Sequence, residues 1–171
     1  MIVENGTGLE NADSYVSVEF ADNYFLARGI SEWADFDDKT KENALVRATD
    51  YIDNIFQWYG QKSNNAQTLR FPRKNLFDYE GNKIDGIPNC LKQAVCDAAI
   101  LSSGGTELFQ TSEANGDVVS EKIGELSFTY SKKSNNVVAG SSLYDSINTK
   151  LRGLFKDTSK NRIVTGKVVR V

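Results

Sequence analysis

From Asp38 to Phe56 the chain reads DKTKENALVRATDYIDNIF, and within it Leu45, Ala48, Ile52 and Ile55 recur at steps of three, four and three. That spacing puts four apolar side chains on one side of an α-helix, and it leaves Glu42, Arg47, Asp50 and Asp53 for the solvent side. A chain holding such a stripe must supply other apolar faces to cover it. Three further segments do so. Val18 to Arg28, opened by Ser17 as N-cap and stopped at Gly29, would turn Ala21, Tyr24 and Phe25 inward. A helix entered through Pro88 and ending near Ser102, before Gly104-Gly105, carries Leu91, Ala94, Val95 and Ala98 on one face. Ser142 to Phe155 repeats the three-four-three pattern with Tyr144, Ile147, Leu151 and Leu154.

Between the second and third helices, residues 61 to 86 hold KSNNAQ, RFPRKN and FDYEGNKIDG, rich in turn formers and without a period. They read as a long ordered loop with a small turn at Glu80-Gly81-Asn82. VVSEKIGELSFTYS, residues 118 to 131, is different: Leu126, Phe128 and Tyr130 alternate with polar residues, and Gly124 offers a turn after Ile123. This is a hairpin, too small to stand alone in water. The expected fold is mainly α: a small four-helix bundle with a β-hairpin projection and an extended C-terminal tail. In domain terms, residues 1 to 157 form the helical unit and 158 to 171 an extended arm.

Little in the sequence points to catalysis. Histidine is absent, which removes Ser-His and Cys-His arrangements. Cys90 and Cys96 are six positions apart, which on a helix means roughly 9 Å of rise and about 240° of turn, beyond disulfide reach. They are expected to be reduced core residues, and no zinc site or other cofactor is expected. Asp35, Asp37 and Asp38 sit where a helix start favours negative charge. Gly6-Thr7-Gly8 lacks the third glycine of a dinucleotide loop, Gly166-Lys167 lacks the frame of a phosphate loop, and DYEGNKID lacks the alternating oxygen ligands of a calcium loop. The expectation is that the chain is not an enzyme.

Charge is unevenly spread. Residues 150 to 171 carry seven Lys or Arg against one acid, and residues 1 to 149 carry 13 basic against 22 acidic groups, so +6 follows −9. The acidic body disfavours nucleic acid. Even so, Arg70, Phe71, Arg73 and Lys74, with Trp58, Tyr59 and Phe77 nearby, interleave cations with aromatics as single-strand binders do. The alternative for this stretch is a core role for Phe71 and Trp58, with Arg73 paired to an acid. No apolar run approaches the 18 or so residues of a membrane span, and the first residues lack a signal-peptide pattern, so the protein is expected to stay in the cytosol of the cell that makes it. The basic, β-branched end, NRIVTGKVVRV, has nothing sequential to pair with and is either disordered or, reaching roughly 36 Å if extended, a strand donated to a partner.

Several phrases, in order, resemble one family: NADSYVSVEFADNYFLARG, ALVRATDYID, QTLRFPR followed by IPNCLKQAVCDAA, and VVSEKIGELSFTYS. They are similar to the head-to-tail adaptor proteins of tailed bacteriophages, a group often labelled DnaT-like single-stranded DNA-binding proteins. The likeness spans about residues 3 to 155, with Phe71 where that pattern usually has tryptophan. It implies a helical, non-catalytic protein of the virion neck, assembled in the host cytoplasm. It also implies a ring of about a dozen copies between the portal protein and a downstream neck or tail-completion protein, with DNA passing through unrecognised. On that reading, Ile123, Gly124, Leu126, Phe128 and Tyr130 of the hairpin would meet the next subunit. The arm, through Arg162, Ile163, Val164, Lys167, Val168, Val169, Arg170 and Val171, would dock on the portal. Under the other label, a single-stranded DNA-binding replication accessory protein, Arg70, Phe71, Arg73 and Lys74 would touch DNA.

Overall fold

The computed structural model describes residues 1–103, 120–123, 126–129 and 146–156. Helix α1 spans Val18–Leu26; Ser17 caps it by accepting from the Phe20 N–H, and Ala21, Tyr24 and Phe25 are buried. Its end is closed by the Gly29 N–H on the Leu26 carbonyl and the Ile30 N–H on the Phe25 carbonyl, with Gly29 left-handed at φ 68°. A single 3-10 turn, Glu32–Asp35, follows and buries Trp33. Helix α2 spans Asp38–Ile55, with the Asp37 carboxylate accepting from the Thr40 N–H as N-cap. Helix α3 spans Asn89–Ser103, and the Pro88 carbonyl accepts from the Leu91 and Lys92 N–H groups at its start.

Helices α2 and α3 form the centre, packing Leu45, Ala48 and Ile52 with Leu91, Ala94, Val95 and Ala98, all inaccessible to solvent. Ile147, Leu151 and Leu154 join the same core from a helical segment at 146–150 and the turn after it. The Lys150 ammonium fastens that segment by bonding the Asp97 carboxylate of α3 and the Tyr24 hydroxyl of α1, while Tyr24 donates to Asp97 at 2.7 Å. Residues 61 to 86 are not wholly loop: β1, Gln61–Lys62, pairs antiparallel with β2, Arg73–Lys74. The turn at 80 to 82 forms as expected, with the Asp78 carboxylate accepting from the Glu80 and Asn82 N–H groups.

The hairpin is present too: β3, Ser120–Ile123, pairs antiparallel with β4, Leu126–Thr129, in a register that sets Ile123 opposite Leu126 and Glu121 opposite Phe128. Gly124 and Tyr130 lie outside the described residues, as do Tyr144, Asp157 and the whole arm from Thr158 on. Cys96 is buried, Cys90 partly so, and both are free thiols. Among the described residues no helix is long and apolar enough to cross a membrane.

One expectation for α2 is corrected. Asp53 does not face solvent; it is 9% exposed and accepts hydrogen bonds from the Tyr15 hydroxyl at 2.7 Å and the Arg70 N–H at 2.9 Å. Two partners from distant parts of the chain satisfy both carboxylate oxygens, which is what permits burial of a polar group.

Candidate nucleic-acid interface

The loop after α2 is built around that buried carboxylate. Asp53 holds the Arg70 N–H, and the Tyr15 hydroxyl, while donating to Asp53, accepts from the Phe71 N–H at 3.0 Å. Burial pushes the Asp53 pKa up to about 6 against the pull of its hydrogen bonds, and burial beside Asp53 raises that of Tyr15 far above the usual phenol range. Phe71 thus enters the core with no exposure, edge-on to Tyr15 at 6.1 Å and to Trp58 at 4.9 Å. The aromatic column continues outward: Phe56 stacks with Trp58 at 5.4 Å and with Phe155 at 4.3 Å.

Arg73 is equally committed to structure. Its guanidinium donates to the carbonyls of Tyr59, Gly60 and Arg70, at 2.6, 2.9 and 3.0 Å, and so clamps the β1 approach to the β2 approach. The expected acidic partner is replaced by these three carbonyls. Of the four residues expected to touch DNA, Phe71 is therefore in the core and Arg73 is held by three backbone carbonyls, while Arg70 and Lys74 are exposed. Trp58 is buried, in keeping with the alternative reading of this stretch.

The loop does present aromatics, but different ones. Tyr59, Phe77 and Tyr79 are 44%, 51% and 81% exposed. Tyr59 and Tyr79 line a groove of about 450 Å³ together with Arg152, Phe155, Asn148 and Thr149. The 146–156 segment supplies its far wall, and pairing fixes the wall in place: the Tyr59 N–H donates to the Leu154 carbonyl at 2.9 Å and the Lys156 N–H to the Gln57 carbonyl at 2.7 Å. Gly153, at φ 91°, takes a left-handed backbone that favours glycine and lies against Tyr79, where an added Cβ would make ordinary contact at 3.4 Å. Arg152, which lines the groove, is exposed, as is Lys156 four residues on. The neighbouring Glu80 carboxylate raises the Tyr79 pKa above the ordinary phenol value.

Two exposed tyrosine rings with a half-buried phenylalanine and a guanidinium in one groove offer flat π-faces beside a phosphate-seeking cation. A family model described as "Putative DnaT-like ssDNA binding protein" matches residues 1–171. The chain belongs to this family. No curated protein and no solved structure matches it. Membership agrees with the DnaT-like half of the resemblance read from the sequence and says nothing of the connector half.

The groove is not evident in the sequence. Tyr59 stands there only as a neighbour of the Arg70 segment, and Tyr79 and Arg152 lie 20 and 93 positions from it. The hairpin set keeps its backbone register but has no described side chains, and the arm residues 162 to 171 lie outside the described structure. The glycine loop near the N-terminus has a local explanation: the Gly6, Gly8 and Leu9 N–H groups all point at the Glu4 carboxylate, at 2.8 to 2.9 Å, so the loop holds its own anion. Among the described residues no group of His, Cys, Asp or Glu could hold a metal ion.

Proposed function

We propose that this protein is a non-catalytic binder of single-stranded DNA, and that the strand runs through the groove between Tyr59 and Tyr79. The observation that carries the reading is the placement of two exposed tyrosines and Arg152 around one groove, in a chain whose family is named for single-stranded DNA binding. Unpaired bases expose faces that stack on Tyr59 and Tyr79, whereas paired bases hide them, so the groove selects single strands over duplex. Arg152 and Lys156 supply the phosphate contacts. The net −9 of residues 1 to 149 keeps the electrostatic share of affinity small and leaves stacking as the main attraction.

The test is titration of a dye-labelled oligothymidylate. Stacking contributes about 1–3 kcal/mol per base, so replacing both Tyr59 and Tyr79 by Ala should weaken binding at least about thirtyfold. Both side chains are exposed, so the fold should survive. Unchanged affinity would remove the groove from the reading.

The second reading, a head-to-tail adaptor ring of a bacteriophage virion, is favoured by the order of the matching phrases and by the hairpin at 120–129, which falls inside the last of them. A wall that repels phosphate also suits a conduit for passing duplex. Electron microscopy of virions with this chain traced, or absent, at the neck decides it. Absence from purified particles ends the adaptor reading.

A further inference from the structure

An apolar recess lies away from the tyrosine groove, at the junction of α1, the Gly29 turn and the 3-10 turn. It encloses about 390 Å³ and is walled by Phe25, Leu26, Ile30 and Trp33. Leu26 stands at its edge with 79% of its surface in solvent. One side is polar: the Asp22 carboxylate accepts from the Trp33 indole N–H at 2.8 Å and from the Lys41 ammonium at 3.0 Å. That ion pair neutralises Lys41. The remaining surroundings are acidic, since beyond that pair residues 23 to 39 carry four acids, Glu32, Asp35, Asp37 and Asp38, all exposed, against Arg28 and Lys39. Arg28 itself is drawn aside, lying 3.5 Å over the Tyr24 ring and donating to the Tyr24 carbonyl.

An apolar recess with an acidic surround calls for an apolar segment carrying positive charge. The chain holds such a segment. Residues 162 to 171, RIVTGKVVRV, contain five Ile or Val, three Lys or Arg and no acid. We propose that this recess is the docking site for residues 162 to 171 of a second copy of the chain, with Val or Ile side chains against Leu26 and Trp33 and the basic groups facing Glu32 and Asp35. The arm's partner is then another copy rather than the portal expected from sequence. Neither functional reading is needed for this contact.

Reach favours the second copy over the arm's own chain. Lys156 pairs with Gln57, just past the end of α2, whereas the recess sits at Lys41 near its start. Those points are separated by roughly 24 Å of helix rise, and the six steps from residue 156 to 162 span at most about 22 Å fully stretched. In the same chain Arg162 would fall short of the site, whereas a second copy can present the whole segment from Arg162 on. Donor and acceptor on different surfaces make a heterologous contact, which builds chains or rings of copies.

The experiment is sedimentation velocity of the full-length protein over a hundredfold range of concentration, with and without the free peptide RIVTGKVVRV. The expected result is association that grows with concentration, is reversed by excess peptide, and is lost in Leu26→Asp. A second variant guards against an indirect effect: Glu32→Lys with Asp35→Lys should abolish association alone and regain it when combined with Arg162→Glu, Lys167→Glu and Arg170→Glu. A protein that stays monomeric throughout, or whose association ignores both the peptide and Leu26→Asp, overturns the proposal.

Discussion

Replacing Asp53 by Asn tests whether a buried carboxylate organises the loop that carries Tyr59 and Arg73. Burial raises the folded-state pKa of Asp53 from the ordinary 3.8 to about 6. A raised pKa means that the folded protein binds this proton more tightly than the unfolded chain. Stability from Asp53 is therefore fully present below about pH 4, falls as pH rises through about 6, and is level above that. That difference between folded and unfolded chain is worth about 3 kcal/mol, or roughly 6–12 °C in Tm for a chain of this size. Asn has no charge to desolvate but can satisfy only one of the two donors, Tyr15 Oη and Arg70 N, at about 1 kcal/mol for the lost bond. Asp53→Asn should thus be less stable than the parent by about 1 kcal/mol at pH 4 and more stable by up to about 2 kcal/mol at pH 7.5. Urea unfolding at fixed intervals between pH 4 and 7.5 measures this. Other carboxylates cancel between the two proteins: burial, then Asp13, raises Asp50, while hydrogen bonds lower Asp37 and Asp78. Parallel stability curves for parent and variant would refute the assignment.

Gly60 sits at φ 70° with space for a Cβ only 2.5 Å from the Lys74 carbonyl oxygen, so Gly60→Ala should cost about 2–4 kcal/mol in urea unfolding, and a loss under 1 kcal/mol would deny the close β1–β2 approach. The Trp58 indole N–H is buried without a hydrogen-bond partner among the described residues. Trp58→Phe removes that unsatisfied donor while shrinking the ring, and the two effects should offset to within about 1 kcal/mol by thermal unfolding, whereas Phe71→Ala should cost about 3–5 kcal/mol.

The helices are legible in the sequence because their buried faces are made of side chains with no other use. Ser17 and Asp37 announce the starts of α1 and α2, and the stripes of α2 and α3 are buried as their spacing requires. Asp53 escapes such a reading for a physical reason: it lies beside Ile52 on the flank of the stripe with buried Thr49, and periodicity alone sends every acid outward. Its burial depends on Tyr15 and the Arg70 N–H, 38 and 17 residues away, which no local pattern reveals. The tyrosine groove is hidden for the same reason, since it exists only where the Tyr59 N–H meets the Leu154 carbonyl. Gly153 is its one local trace, a left-handed residue after the 146–150 helical segment where Tyr79 comes close.

The most direct test of the central claim is photocrosslinking of the full-length protein to a single strand substituted with bromodeoxyuridine, followed by mass mapping of the modified peptides. The account predicts adducts on Tyr59 and Tyr79, competed by unlabelled single strands and not by duplex. With only two phosphate contacts, from Arg152 and Lys156, the yield should fall gently with salt, at a log–log slope of roughly −1.4. Adducts confined to other parts of the chain, or none at concentrations where a known single-strand binder is modified, would contradict it.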